Sequence, residues 1–390
     1  MYWLLLPVAL LFSVVAWLTY VVILTRHNAR ACLVPAPPVS GSGPTRFTDL
    51  QAVLDAYSAG HAGVGLQATL VLPDGDSWTG VSGYASHEQA VPLTPQHHLY
   101  IGSLTKLLTA ALVVRQVEAG AFGLDSTLEP WFDSPWASRV SVADLLNHTS
   151  GIPSYTEEAW FLVRYFGLPQ KTWLPAELAA GIANRPLEFE PGSRHRYSNS
   201  NYLLLGLLLE KSTGKSYAEF IADPVRSEWG LSETYYLAPL SGLGIANAYD
   251  ETLLHLGRAN LSGFRRSLES GGYSAGGVLS NSQDMARFVR ALFEAKIVSR
   301  PSLARMLTFI DAPDADVPAQ TGYGLGLRRL EVGGNIFAGH TGTIPGYSGI
   351  AMQHVADGAT IVVLSNLSTI DQVKLLEALF FELEPQARKP

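Results

Sequence analysis

Gly102-Ser103-Leu104-Thr105-Lys106 sets a hydroxyl and an amine three positions apart, just before the apolar run Leu107, Leu108, Ala110, Ala111, Leu112, Val113 and Val114. So little polar interruption predicts a helix buried inside a domain rather than one lying on its surface. Positions i and i+3 share a helix face, so Lys106 is expected to project beside Ser103. A serine hydroxyl becomes a nucleophile when a base takes its proton, and a lysine amine can be that base once burial draws its pKa toward neutrality. The helix start also offers backbone N–H groups to a developing oxyanion. S-x-x-K alone is a short pattern that chance produces often, so partners elsewhere in the chain must give it meaning.

Two later stretches supply them. Arg196-Tyr197-Ser198-Asn199-Ser200-Asn201-Tyr202 precedes the apolar run to Leu209. A phenol there can exchange a proton with Ser103 if nearby cations lower its pKa from about 10. Gly339-His340-Thr341-Gly342-Thr343-Ile344-Pro345-Gly346-Tyr347 reads as a strand whose glycines mark close approach of a ligand or another backbone. His340 between threonines and glycines is expected on a substrate-lining edge. Leu145-Leu146-Asn147-His148-Thr149-Ser150-Gly151-Ile152 reads as a helix end and loop supporting the site.

The order S-x-x-K, Y-S-N, H-T-G resembles the penicillin-recognising serine hydrolases: class C β-lactamases, D-alanyl-D-alanine carboxypeptidases and related esterases. The resemblance runs over residues 46–384 and includes LLNHTSGI, EFEPGSRHRYSN, GGVLSNSQDMARF and GHTGTIPGY. It implies an α+β, β-lactamase/transpeptidase-like fold: an antiparallel sheet flanked by helices, plus a mostly helical lobe. Carried over, it makes Ser103 the acylated nucleophile and Lys106 and Tyr197 its proton-transfer partners. Asn199 becomes a ligand for the substrate amide, His340, Thr341, Gly342 and Thr343 the third motif, and the N–H groups of Ser103 and Thr343 the oxyanion hole. Class C β-lactamases usually carry lysine where this chain has His340. His-Thr-Gly-Thr looks more like the carboxypeptidase and D-peptidase branch, and Gly322-Tyr323-Gly324-Leu325-Gly326-Leu327-Arg328 resembles the strand whose arginine holds the substrate carboxylate there. Arg329 competes with Arg328 for that role. The function so implied is a D-Ala-D-Ala carboxypeptidase or D-amino-acid peptidase, with a β-lactamase, an esterase or a non-catalytic penicillin-binding sensor as alternatives. Substrates would be a peptide, β-lactam or ester, and no cofactor or metal is called for.

The remaining sequence fits around that core. Leu50, Val53, Leu54 and Tyr57 form a helical pattern ending at Gly60, and Leu66–Leu72 with Ser77–Tyr84 form a hairpin about Pro73-Asp74-Gly75. Residues 115 to about 320 read as a helical insertion, including Met285 to Leu292. Strands are then expected at Tyr323–Leu330, Asn335–Ala338, Tyr347–Met352 and Thr360–Leu364, with a closing amphipathic helix around Val373–Phe380. Gly272-Tyr273-Ser274-Ala275-Gly276 matches the G-x-S-x-G nucleophile turn, but Phe264–Gly271 before it is not the buried strand that turn needs.

Of the 390 residues only 16% are charged, with a net charge of −7 and no basic run, which excludes a nucleic-acid partner. The single cysteine, Cys32, rules out an intramolecular disulfide and a cysteine-based metal site. Residues 1–25 hold no charged side chain and reach the roughly 20 apolar residues needed to cross a bilayer, so one N-terminal transmembrane anchor is expected. Residues 26–45 follow as a Pro/Gly/Ser-rich linker, and 385–390 as a tail. The chain is therefore expected to be a single-pass membrane protein with its domain on the extracytoplasmic face, although Arg26 and Arg30 after the span argue for the opposite orientation.

Overall fold

The computed structural model describes residues 47–237, 241–251 and 258–387. The expected anchor (1–25) and linker (26–45) lie outside that range. Among the described residues no helix is long and apolar enough to cross a membrane.

An eight-stranded sheet forms the spine: β1 (Leu66–Val71), β2 (Ser77–Ser82), β3 (Ile310–Asp311), β4 (Gln320–Tyr323), β5 (Arg328–Val332), β6 (Asn335–Ile344), β7 (Tyr347–His354) and β8 (Thr360–Ser365). Their spatial order is β2-β1-β8-β7-β6-β5-β4-β3, and every neighbouring pair is antiparallel. Among the described residues, the strand nearest each terminus therefore meets the other in one sheet, with β1 against β8 in the register Leu66↔Ser365. Central strands covered on both faces need apolar residues at successive positions, and TIVVLS in β8 is buried throughout. Ile361 and Val363 enter one core, with Leu50, Leu54, Leu375 and Leu379 of helices α1 (Thr48–Gly60) and α7 (Gln372–Ala387). Val362 and Leu364 point the other way, into the larger core.

That larger core holds α2 (Thr105–Glu118), α4 (Asn199–Thr213) and α5 (Arg265–Gly276). Helix α2 is buried without a break from Thr105 to Val114, as its sequence predicts, and each fully buried leucine contributes about 2 kcal/mol. Helix α6 (Ser282–Phe293) departs from expectation. It packs on β1, β7 and β8 rather than joining the helical lobe, because Met285, Phe288, Val289 and Leu292 make one apolar stripe that the sheet covers. Asn281 caps its start, accepting from the Asp284 N–H at 2.8 Å.

Two strand boundaries also differ. The expected strand Tyr323–Leu330 is broken between Tyr323 and Arg328, because Gly326 adopts φ +84° and packs so tightly on α2 that a β-carbon there would lie 2.3 Å from that of Ala110. Conversely, β6 runs past Ala338 to Ile344, pairing His340 with Ala351 and Thr343 with Ser348. The whole His-Thr-Gly-Thr motif is thus built into the middle of the sheet.

Candidate active site

A 3₁₀ turn, Gly102–Leu104, sets Ser103 immediately before α2, half-buried at the floor of a cleft. Gly102 stands at φ +51°, and a β-carbon there would come within 2.9 Å of the Thr343 carbonyl carbon. Gly342 is equally constrained, since its β-carbon would lie 2.3 Å from the Ile101 carbonyl oxygen. Two glycines thus let the nucleophile turn press directly on β6, backbone to backbone. Gly102→Ala is expected to cost about 1–2 kcal/mol from the left-handed backbone alone and to push β6 away from Ser103. Urea denaturation together with the acylation rate would register both effects.

Lys106 is fully buried, and its Nζ lies 3.0 Å from Ser103 Oγ, 2.7 Å from Asn199 Oδ1 and 2.7 Å from the Ala275 carbonyl oxygen. None of these three oxygens belongs to a carboxylate. Burial holds the amine far below its ordinary pKa, and the Arg328 guanidinium lowers it further. In the neutral amine, two N–H groups donate to Asn199 and Ala275, and the lone pair is left for the Ser103 hydroxyl. After proton transfer the ammonium has three acceptors already in place, so either state is satisfied without rearrangement. The expected i, i+3 pair is therefore present, with a carbonyl partner from α5 that the sequence did not announce. That carbonyl comes from a strained stretch: Tyr273 sits at φ 40°, ψ −135° inside α5. Ser274 of the G-x-S-x-G match is fully buried and donates to the Tyr202 carbonyl at 2.8 Å, which removes it as a nucleophile.

Tyr197 lies beside the pair, with Lys106 Nζ 4.9 Å from its ring centroid. Its hydroxyl is closed to solvent and makes no hydrogen bond of good geometry. Burial raises its pKa, while Arg328 and the facing Ser103 hydroxyl pull it part of the way back. Asn199 is held at both ends of its amide, accepting from Lys106 and donating to Thr156 Oγ1 at 2.9 Å, and it lines the same cleft as Ser103.

The third motif is placed differently from expectation. His340 is fully buried, so it does not line a substrate edge. In a strand, alternate side chains point to opposite faces; Thr343 therefore reaches the cleft while His340 faces inward. Its Nδ1–H donates to the Thr341 carbonyl, and Nε2 accepts from the Tyr323 hydroxyl at 2.8 Å. The Tyr323 hydroxyl oxygen in turn accepts from His148 Nε2–H at 3.2 Å, and His148 Nδ1 accepts from the Ser198 N–H at 3.2 Å. This chain fixes one tautomer for each histidine. Burial depresses both imidazoles well below their usual pKa, with the surrounding cations adding to the effect, so both are neutral and His340 does not replace a lysine charge.

The cation of the site is Arg328. It is 5% exposed, with its Cζ 4.8 Å from the Tyr197 ring centroid. Nη1 donates to Asp314 Oδ2 at 2.9 Å and to Gln320 Oε1. Nη1 is thereby held by protein partners while Nε is buried without one, and the guanidinium lies against the Tyr197 ring rather than lining the Ser103 cleft, so the expected carboxylate clamp is not formed in this geometry. Arg329, the competitor, is half-buried on the same strand. Thr341 is 8% exposed and opens onto an adjoining 530 Å³ cleft beside Asp371 and Gln372, which shares Thr343 with the Ser103 cleft.

Sequence reasoning missed the cleft walls. The 220 Å³ cavity over Ser103 is bounded by Tyr155, Phe161, Tyr165 and Ile344, most of them on or next to α3 (Ala159–Gly167). AWFLVRYFG was the available signal, since a helix with apolar residues on every side leaves some facing an opening.

An antiparallel sheet between two helical layers, with a serine and a lysine at the start of the buried helix, defines a β-lactamase-like α+β protein. The Beta-lactamase family profile matches residues 50–379, and the chain belongs to that family. Among curated proteins it is 28% identical to penicillin-binding protein 4* of Bacillus subtilis over 73% of this chain, and 26% identical to a D-aminopeptidase of Gluconobacter oxydans over 86%. The matches cover 64% and 63% of those relatives' own lengths. Among solved structures, the D-amino acid amidase of Ochrobactrum anthropi SV3 complexed with L-phenylalanine superposes with TM-score 0.78 at 25% identity, covering 88% of this chain and all of that one. A D-stereospecific amidohydrolase from Streptomyces sp. gives 0.73 at 27%, covering 85% and 98%.

Proposed function

We propose that this protein is a serine hydrolase that cleaves an amide or ester through an acyl-enzyme on Ser103. The observation that carries the reading is the buried, carboxylate-free setting of Lys106 Nζ, 3.0 Å from Ser103 Oγ. Lys106 takes the hydroxyl proton as Oγ attacks the substrate carbonyl carbon. The oxyanion is received by the backbone N–H groups of Ser103 and Thr343, and Tyr197 protonates the leaving amine or alcohol as the scissile bond breaks. Water then attacks the Ser103 ester by the reverse sequence. The D-aminopeptidase and D-amino acid amidase relatives support a peptide or amide substrate with a D-residue. The engaged Arg328 speaks against recognition of a C-terminal carboxylate, and so against the D-Ala-D-Ala carboxypeptidase form of that reading.

A fluorophosphonate should label the protein at Ser103. Equal labelling of Ser103→Ala, located by intact mass and peptide mapping, would overturn the reading. Tyr197→Phe is expected to lower kcat/KM by about 10²-fold, with a larger loss on an amide than on an aryl ester, because the poorer leaving group depends more on its proton. A uniform, small loss on both would make Tyr197 a packing residue.

Residues 1–25 are proposed to anchor the domain in a membrane, with the active site on the extracytoplasmic side, where the substrates the resemblance implies are found. Protease added to intact cells should degrade the domain; full protection would reverse the orientation.

A further inference from the structure

Among the described residues, the walls of the Ser103 cleft contain no aspartate, glutamate, lysine, arginine or histidine. This absence bears on substrate, because a free α-ammonium or carboxylate bound there would lose its water without gaining a counter-charge. Polar groups on the walls are few and mostly committed: the Tyr155 hydroxyl donates to the Gly271 carbonyl at 2.6 Å, and the Asn199 amide is held by Lys106 and Thr156. The remaining surface is apolar. Phe161 and Tyr165 stack with centroids 4.9 Å apart at the back of the cleft.

The cleft does not end at that wall. One step around α3, Leu162 and Phe166 also line it, yet they are 39% and 38% exposed, and Val163 and Leu168 beyond them are 73% and 51% exposed. Five of the nine large apolar side chains that stand exposed among the described residues fall between Leu162 and Leu174. An apolar lip continuous with an apolar cleft marks a binding surface rather than scattered exposure. Asn199, the expected ligand of the substrate amide, lines this cavity beside Ser103, which puts the cavity on the acyl side of the scissile bond.

We propose that the acyl half of the substrate is uncharged and apolar: an aryl or medium-chain alkyl acyl group, or an N-acylated aromatic D-residue, whose near end lies against Phe161, Tyr165 and Ile344 and whose far end crosses Leu162 and Phe166. The inference rests on Ser103 being the acyl acceptor. It separates this chain's substrate from a free amino-acid amide, whose α-ammonium would be placed against these walls.

The test is kcat/KM for p-nitrophenyl acetate against octanoate below its aggregation concentration, and for D-phenylalanine p-nitroanilide against its N-acetyl derivative. At full burial each methylene is worth about fourfold. With a partly open lip, octanoate is expected to exceed acetate by roughly 10- to 10²-fold, and the N-acetyl anilide to exceed the free amine. Leu162→Ser and Phe166→Ser, at exposed positions where melting should hardly change, are expected to collapse the octanoate-to-acetate ratio toward one. Equal rates on both esters, preference for the free ammonium, or an unchanged ratio in both variants would overturn the proposal while leaving fluorophosphonate labelling of Ser103 intact. Failure of that labelling would overturn it together with the hydrolase reading.

Discussion

Lys106→Met is expected to lower acylation by about 10³-fold while leaving the fold intact and changing how its stability responds to pH. The kinetic part follows from the Nζ–Oγ distance of 3.0 Å and from the absence, among the described residues, of another amine or free imidazole beside Ser103: the neighbouring histidines, His148 and His340, are engaged with Tyr323, and burial keeps the Tyr197 phenol protonated. The stability part follows from burial. Desolvation, helped by Arg328, depresses the lysine's pKa in the folded state, whereas the unfolded chain holds that proton up to about pH 10.4. Between those two values the unfolded state binds more protons, so parent stability rises with pH. Methionine fills similar volume without that coupling, though it leaves the Ala275 carbonyl and Asn199 Oδ1 without a donor at about 1–3 kcal/mol. Urea melts at pH 6 and pH 9 should therefore show the variant gaining on the parent at the lower pH. A variant that loses stability equally at both pH values and still acylates at the parent rate would make Lys106 a buried structural amine.

What the sequence shows of this site depends on how local each feature is. Ser103 and Lys106 lie within one helical turn, so their proximity can be read from spacing alone. The strand pattern of β8 is equally direct, because the unbroken run Ile361-Val362-Val363-Leu364 has few other uses. Reading all of His340-Thr341-Gly342-Thr343 as substrate-lining conflicts with strand alternation, which sends His340 and Thr343 to opposite faces; the error lay in treating a motif as a surface. The partners of Arg328, which the motif places as a carboxylate clamp, cannot be read from the sequence, since Asp314 in the β3–β4 connection and Gln320 on β4 reach it only once β4 pairs with β5. Gly272-Tyr273-Ser274-Ala275-Gly276 gives the subtlest case. It is not a nucleophile turn, yet its small residues let α5 approach the site closely enough for the Ala275 carbonyl to bind Lys106.

Arg328→Met is expected to have two separable effects. The first is on stability: Asp314 and Gln320 would be left facing an apolar side chain, and breaking a buried ion pair from one side costs about 3–5 kcal/mol. The second is on the pH dependence of acylation. Arg328 lowers the pKa of both Lys106 and Tyr197, in each case as the effect secondary to burial. Without it, Lys106 holds its proton to higher pH, so the acid limb of the profile moves up. Tyr197 likewise keeps its proton longer, so the alkaline limb moves up too. His148, His195 and His340 also feel this guanidinium and face the same cluster, but burial, the largest cause for each, keeps them neutral across the working range. The whole profile should therefore travel toward alkaline pH rather than narrow. Arg328→Lys retains the charge while losing the two-partner contact of the guanidinium with Asp314 and Gln320; it should recover the position of the profile more fully than the melting temperature. A folded Arg328→Met with both limbs unmoved would reduce Arg328 to a structural ion pair. A selective rise in KM for peptides ending in a free carboxylate would instead mean that the side chain turns from Asp314 toward substrate, restoring the clamp that this resting geometry denies.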